Sequence, residues 1–480
     1  MSSVGPGSHS AAGRVTPRVS RRRDRPAAVS FRGLPIYQKA LVGAIIFSPL
    51  QSGFTLNLGF PLKISEVLIM FAVLSYFFGR RTRPTPSLER KLFVALGFLV
   101  GVSTAYHLLT PVTNVELHGF TRSPEVDLAL YFFYSMLVLV MWLLMTTLPS
   151  GVMQKAMIWS IWVCAAATFL QWVLSQAGML EVLETLNYQT KAKGLNLDGS
   201  DDDVMRTGSF VEGQQLGFFA GMMMLIALKN RAYIAVGLAV YCLIYSQSTT
   251  GFLGVAVAVA TILFLRPRLN SILRFLLSGA IVAGILASVP ALRTLLSFQL
   301  AKLGLFGLDE QFSGSDDSLD LRSIKTEIGA RMTFDHPLIG VGPGRYGINF
   351  FDYATNPPVP IYYWNPDHRA SAENVYIHIS SELGIPALLC FVVALLALVL
   401  KQYRGLPVDF AVGLYLVIGI ITQGSWTFIP IWIGLAYLAV NAHDLREKRL
   451  IRSRSAPSSP SLSATAPPGP TVDEPVKGLS

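Results

Sequence analysis

The sequence predicts an all-α integral membrane protein of about twelve transmembrane helices, with both termini cytoplasmic and one large, partly helical loop on the opposite side. Three observations carry this. Hydrophobic residues make up 52% of the 480 positions and charged residues only 14%, where a soluble chain carries roughly a quarter charged. Apolar runs recur along most of the chain, several of them shorter than the ~20 residues that a straight membrane helix requires. Basic residues fall in every second connection between those runs, as cytoplasmic loops demand.

The elements follow in order. Residues 1–38 form a polar, basic cytoplasmic tail with the run Arg21-Arg22-Arg23 and no apolar stretch of signal-peptide type before Leu41. The first nine spans occupy 39–292, at 41–59, 64–78, 92–109, 128–148, 152–177, 215–228, 232–246, 250–265 and 272–292. Within that region two connections, 110–127 and 178–214, lie on the non-cytoplasmic side. Residues 293–385 form the long loop on that side, and loops of such length are functional or disordered. Its aromatic residues, turn signals and helical pattern point to order. Three spans follow within 386–442, at 386–400, 410–423 and 428–442. The Ser/Pro-rich tail from 443 to 480 reads as disordered and cytoplasmic.

The charge pattern checks the helix count. Arg80, Arg81, Arg83, Arg90 and Lys91 follow the second span, Lys155 the fourth, Lys229 and Arg231 the sixth, Arg266 and Arg268 the eighth, and Lys401 and Arg404 the tenth. One missed or invented helix breaks the alternation. The net charge of +10 is therefore a topology signal, which argues against nucleic-acid binding. Cys164, Cys242 and Cys390 all lie in apolar runs without metal-ligand spacing, and read as small core residues. Gly97 and Gly101 form a Gly-xxx-Gly pair suited to helix packing.

The polar chemistry gathers on the non-cytoplasmic side. No span carries an acidic residue near its centre, which argues against an ion-coupled carrier. Arg206, Arg322, Lys325, Arg331, Arg345 and Arg369 stand where the positive-inside tendency disfavours them. An anion site at the membrane surface accounts for them, and a pyrophosphate suits bidentate guanidinium contacts. Ion pairs with the loop's own acids are the alternative for any single arginine. Residues 318–332 have the periodicity of an amphipathic helix, with Leu321, Ile324, Ile328 and Met332 on one face and Arg322 and Lys325 sharing another. Asp335-His336-Pro337 stops it, and the Gly-rich run from Gly340 to Gly344 reads as a tight turn. A helix is expected from about 371 to 384, with Asn374, His378 and Glu382 in one stripe and Glu373 on a neighbouring face. Glu373 or His378 is placed to act as a general base, the second being equally well read as a hydrogen-bonded structural histidine. Zinc on His336, His368 and His378 matches no standard spacing, so no metal is expected.

The stretch Asp335-His336-Pro337-Leu338-Ile339-Gly340-Val341-Gly342-Pro343-Gly344, then Glu373-Asn374-Val375-Tyr376, then Glu382-Leu383-Gly384-Ile385-Pro386 resembles the O-antigen ligase and polymerase family of bacterial envelope proteins. Arg206-Thr207-Gly208-Ser209-Phe210 resembles that family's Arg-x-Gly-x-Phe element, and residues 246–251 its Ser-Arg-Gly-like turn. The resemblance covers roughly 206–400. Two positions depart from it. The family commonly has His-Asn where Glu373-Asn374 stands, and Thr249 and Thr250 replace the arginine of the turn.

The resemblance implies a glycosyltransferase of the bacterial inner membrane whose site faces the periplasm. Its donor is an oligosaccharide on undecaprenyl pyrophosphate, and it needs neither metal nor other cofactor. Arg206, Arg322, Arg345 and Arg369 are its candidates for holding the pyrophosphate, with His368 and Asn374 as further substrate contacts. Glu373, or His368 or His378 nearby, takes the acceptor proton, and single displacement inverts the anomeric centre. The two departures favour polymerisation of exopolysaccharide, capsule or O-antigen over ligation to lipid A core or protein. A flippase for lipid-linked oligosaccharide is the alternative from another class. Chain-length regulators and export proteins are the implied partners besides substrate and lipid.

Overall fold

The structure is a computed structural model that describes residues 31–57, 61–79, 86–110, 123–188, 193–194, 204–265, 273, 277, 280, 284, 288–301, 315–354, 370–403 and 405–455. Among these, sixteen α-helices dominate: α1 (Ile36–Ile46), α2 (Ile64–Phe78), α3 (Leu88–Leu109), α4 (Pro124–Met145), α5 (Ser150–Gln176), α6 (Leu180–Thr185), α7 (Gly213–Lys229), α8 (Tyr233–Ser246), α9 (Thr249–Leu265), α10 (Pro290–Ala301), α11 (Ser315–Asp335), α12 (Tyr346–Tyr353), α13 (Val375–Leu383), α14 (Ile385–Tyr403), α15 (Pro407–Gly419) and α16 (Ile429–Ser455). Two antiparallel ladders of two residues per strand, Leu56–Asn57 with Pro61–Leu62 and Lys193–Gly194 with Val204–Met205, are the described β-structure.

Four helices, α3, α4, α5 and α14, are long and apolar enough to cross a membrane. Their outer surfaces fit that role. Phe98, Trp159 and Leu400 stand 70%, 61% and 65% exposed, a cost in water that vanishes in lipid. The inner faces close on an aromatic stack in which Phe93 of α3 lies 4.5 Å from Trp142 of α4 and 5.2 Å from Trp432 of α16, edge to face. Gly97 packs its Cα face against Leu139 of α4. Cys164 and Cys242 are buried free thiols whose sulfurs lie 3.9 Å apart between α5 and α8.

Local chemistry sets the helix ends. Ser123 caps α4, its hydroxyl accepting from the Val126 N–H at 3.4 Å, and Pro124 occupies the first position, where no N–H is needed. Gln247, at φ 51°, ends α8 in the left-handed region. Ser248 then opens α9 by accepting from the Gly251 N–H at 3.1 Å.

The first expected span, 41–59, is not one helix. α1 begins at Ile36, ends at Ile46, and gives way to a buried loop. Pro49 supplies no N–H and disfavours helical backbone at Ser48. The N–H groups of Gln51 and Ser52 instead donate to the Ser209 carbonyl, at 2.9 and 2.8 Å. The expected span 272–292 lies mostly outside the described residues, as do both tails for most of their length, but α16 runs on to Ser455 and makes 443–455 helical where the sequence predicts disorder.

The helix expected at 318–332 is present as α11 and stops at Asp335. Ile328 and Met332 are buried on its apolar face, with Leu321 and Ile324 packed alongside, against Tyr346, Phe350 and Ala372. This second small core docks α11 and α12 onto α13.

Candidate active site

Two turns build the frame. In the first, the Arg206–Phe210 loop is fastened on three sides. Thr207 Oγ1 accepts from Gln171 Nε2 of α5 at 2.9 Å, and the Ser209 hydroxyl donates to the Pro49 carbonyl at 2.7 Å. Phe210 is fully buried. Gly208 sits at φ 55°, where a side chain would also meet Thr168. The start of α7 then lies against the α8–α9 turn, since a Cβ on Gly213 would stand 2.6 Å from the Ser246 carbonyl oxygen. The 246–251 turn is held further by Gln299 of α10, whose Nε2 donates to the Gln247 carbonyl at 3.1 Å.

The second turn locks the two family-like motifs together. The N–H groups of Val341 and Gly342 donate to the carbonyls of Ser381 and Glu382 at 2.8 and 3.0 Å, and that of Ile385 donates to the Pro337 carbonyl at 2.7 Å. Gly340, at φ 71°, and Gly384, at φ 83°, leave room for the facing backbones. The same turn rests on α3, where the Ser103 hydroxyl donates to the Ile339 carbonyl at 2.9 Å and His107 Nε2 lies 3.1 Å from the Gly340 carbonyl.

Five charges cluster here among the described residues. Arg322 Nε donates to Glu373 Oε2 at 2.9 Å, and Lys325 Nζ, from the next turn of α11, donates to Glu373 Oε1. Arg206 and Glu212 approach from the loop before α7. Arg206 feels the positive charge of Arg322, and Glu212 feels Glu373, Arg322, Lys325 and Arg206. Among the described residues three cations thus face two carboxylates, a net positive charge in a partly dehydrated setting. Arg206 Nε has no acceptor among the described residues.

Burial first, and Glu373 second, hold the Glu212 carboxyl above its usual range, against the pull of the three cations. The side chain is half-buried, and its Oε2 accepts from Gln214 Nε2 at 2.7 Å.

The structure therefore brings Arg206, Arg322 and Glu373 together and adds Lys325 and Glu212. Glu212 is the residue that sequence reasoning missed. Its signal was its place two positions after Arg-x-Gly-x-Phe, immediately before an apolar run.

Other expected contacts stand elsewhere. His378 is buried, with Nε2 3.0 Å from Glu382 Oε1, and its ring meets Tyr346 edge to face. Arg345 is 1% exposed beneath the Gly340–Gly344 turn, with Nη2 donating to the His107 carbonyl at 3.4 Å. Both are buried in a packed layer, and the partners of Glu373 among the described residues are instead Arg322 and Lys325. Tyr346 joins the layer to the charge cluster, its hydroxyl donating to the Lys325 carbonyl at 2.6 Å.

The helix expected from 371 starts at Val375 instead, because Asn374 caps it. Asn374 Oδ1 accepts from the N–H groups of Tyr376 and Ile377, at 3.0 and 3.4 Å. Glu373 thus precedes the helix, at φ 48°, rather than lying in its first turn. Asn374→Ala is expected to lower stability by about 1 kcal/mol while Asn374→Ser keeps most of it, measured as thermal unfolding of the detergent-purified protein. His368 and Arg369 lie outside the described residues. Of the three histidines weighed for zinc, His378 is engaged with Glu382 and His336 is exposed.

At the other end of α3 a cavity of about 810 Å³ opens, lined by Glu89, Arg90, Lys401 and Arg446 over an apolar floor that includes Trp142 and Leu400. Lys401 Nζ donates there to Glu89 Oε2 at 2.5 Å.

Residues 234–392 match the family model described as O-antigen ligase. The match takes in the 246–251 turn, α11, Glu373, and both halves of the interlocked turn, and it leaves Arg206 and Glu212 upstream. No curated protein matches the chain.

Proposed function

We propose that this chain, which the family match and the apolar helices mark as a multi-pass membrane protein of the O-antigen ligase and polymerase type, polymerises undecaprenyl-pyrophosphate-linked repeat units. The product is an exopolysaccharide, capsule or O-antigen, and the site faces the periplasm of a twelve-span inner-membrane protein. The observation that carries the reading is the surplus of positive charge, among the described residues, where Arg322 and Lys325 hold Glu373 and the charge of Arg206 reaches Arg322 and Glu212. A lipid-linked pyrophosphate brings the anion such a site lacks. The guanidinium groups stabilise the charge that grows on the leaving pyrophosphate. The reaction is a single displacement with inversion and uses no metal.

Polymerisation is favoured over ligation by Glu373. Where the family commonly has an imidazole, this chain has a carboxylate whose two oxygens both accept from cations. In that state it orders the anion site rather than receiving a proton. Chain-length regulators and exporters are the partners expected of a polymerase.

The test is glycan chain length in a deletion strain complemented with wild type or Arg322→Ala at matched membrane levels. Deletion should leave single repeat units on the outer leaflet, and Arg322→Ala should restore few or no long chains. Full-length polymer from the mutant refutes the site.

The charged cavity at the opposite end of α3 favours a second reading, a flippase that loads lipid-linked oligosaccharide from the cytoplasmic leaflet. Under that reading, the deletion strain retains its single units on the inner leaflet, inaccessible to periplasmic glycosidase.

A further inference from the structure

We propose that Glu212 is the general base that removes the proton from the acceptor hydroxyl, an assignment that rests on the glycosyl-transfer reading above. The reaction needs a proton acceptor beside the pyrophosphate site whose lone pairs are not already committed. Glu373 fails that requirement because Arg322 and Lys325 each take one of its oxygens. His378 fails it because it is buried against Glu382 behind Tyr346.

Glu212 meets it. It directly precedes α7 on the loop that carries Arg206, and that arginine packs against the adjacent Gly213, where a Cβ would stand 3.1 Å from Arg206 Cγ; the charges of Glu373, Arg322, Lys325 and Arg206 all act on it. One oxygen accepts from Gln214, and Oε1 has no protein partner among the described residues. The side chain is half-buried rather than sealed. Gln214 orients the carboxylate by holding Oε2, which leaves Oε1 as the oxygen to take the proton. The mixed field keeps this carboxyl more basic than an exposed glutamate, as burial and Glu373 outweigh the three cations.

The step balances as follows. The acceptor oxygen forms a bond to the anomeric carbon of the donor as its proton passes to Glu212 Oε1. The bond from that carbon to the pyrophosphate oxygen breaks, and the lipid pyrophosphate departs with the electron pair. Arg206 and Arg322 meet the new charge. The Glu212 carboxylic acid then releases its proton to solvent before the next addition.

The experiment uses full-length protein in lipid nanodiscs with a synthetic polyprenyl-pyrophosphate-linked repeat unit as probe. Wild type, Glu212→Gln and Glu212→Asp are compared for donor binding, single-turnover rate and rate against pH. Wild type should speed up as pH rises through the ionisation of one carboxyl above the ordinary glutamate range. Glu212→Gln should lose about 10²–10⁴-fold in rate, lose that pH limb, and bind donor within about 3-fold of wild type. Glu212→Asp should keep the limb at an intermediate rate, which separates lost basicity from misfolding. A Glu212→Gln rate within about 10-fold of wild type, or a retained limb, overturns the assignment. Wild-type protein that binds the probe but never extends it overturns the glycosyl-transfer reading, and the base falls with it.

Discussion

Arg206→Ala should lower glycosyl transfer by about 10²–10³-fold, the loss typical of one charged donor removed from a developing anion. Thermal stability should change little by comparison. The arginine is well suited to this separation of effects. Its loop is fixed by Thr207, Ser209 and Phe210, none of which depends on the guanidinium. Its Nε finds no acceptor among the described residues, so truncation strands no described partner there. Burial and the nearby positive charge of Arg322 both work against its charge, while Glu212 supports it, so an incoming pyrophosphate relieves a repulsion already present. Arg206→Lys should recover only part of the rate, because an ammonium cannot grip two phosphate oxygens in the planar manner of a guanidinium. The measurement is single-turnover transfer from a lipid-linked donor, with the melting temperature recorded in parallel. An alanine variant that transfers at the wild-type rate removes Arg206 from the site. One that melts far below wild type instead makes it a structural residue.

Gly340→Ala should destabilise the protein by roughly 2–5 kcal/mol, combining a left-handed backbone penalty of ~1–2 kcal/mol with overpacking of ~1–3 kcal/mol. The residue sits at φ 71°, and a Cβ there would strike the backbone of Glu382 and Leu383. Backbone on both sides of the collision is pinned by the bonds from Val341 and Gly342 to Ser381 and Glu382, so the clash cannot be relieved by turning one side chain. Gly237→Ala is the control. Nothing lies within 4 Å of where its Cβ would stand, and a helical alanine is neutral or slightly favourable. Thermal unfolding of the two purified variants, with membrane yield as a second readout, checks the contrast. Equal melting temperatures would show that the interlocked turn is softer than its geometry indicates.

Much of the bundle was legible because hydropathy and helix boundaries report the same physics. The residue range 64–78 coincides with α2, α3 and α14 each contain an expected span, and α4 and α5 end three residues and one residue short of theirs. The error at 41–59 has a clear cause. A loop whose apolar residues are covered by protein has the same composition as a helix covered by lipid, and hydropathy cannot tell them apart. The shared face of Arg322 and Lys325 followed from three-residue spacing, and both do reach one carboxylate. That the carboxylate is Glu373, 51 and 48 positions away, is a tertiary fact with no local signal. The same holds for Arg345. Its place outside the hydrocarbon suggested access to substrate, yet the turn above it and α3 beneath leave it 1% exposed. Glu212 was passed over because an acid before an apolar run is usually just a favourable charge at a helix start. Only its neighbours across the fold distinguish it.

The clasp between 337–342 and 381–385 also bears on how this protein can change over time. Because the chain is pinched shut there by backbone hydrogen bonds, what lies between the two strands of the clasp behaves as an excursion with a closed base. Doubling the length of such an excursion costs only ~0.6 kcal/mol in closure entropy. α12 and α13 anchor its two ends, and near the second of them Glu373 grips α11 while Ala370 and Ala372 pack into the small core. A change of length within the clasp is therefore cheap in closure entropy, so long as the residues that meet α11 and the small core are kept.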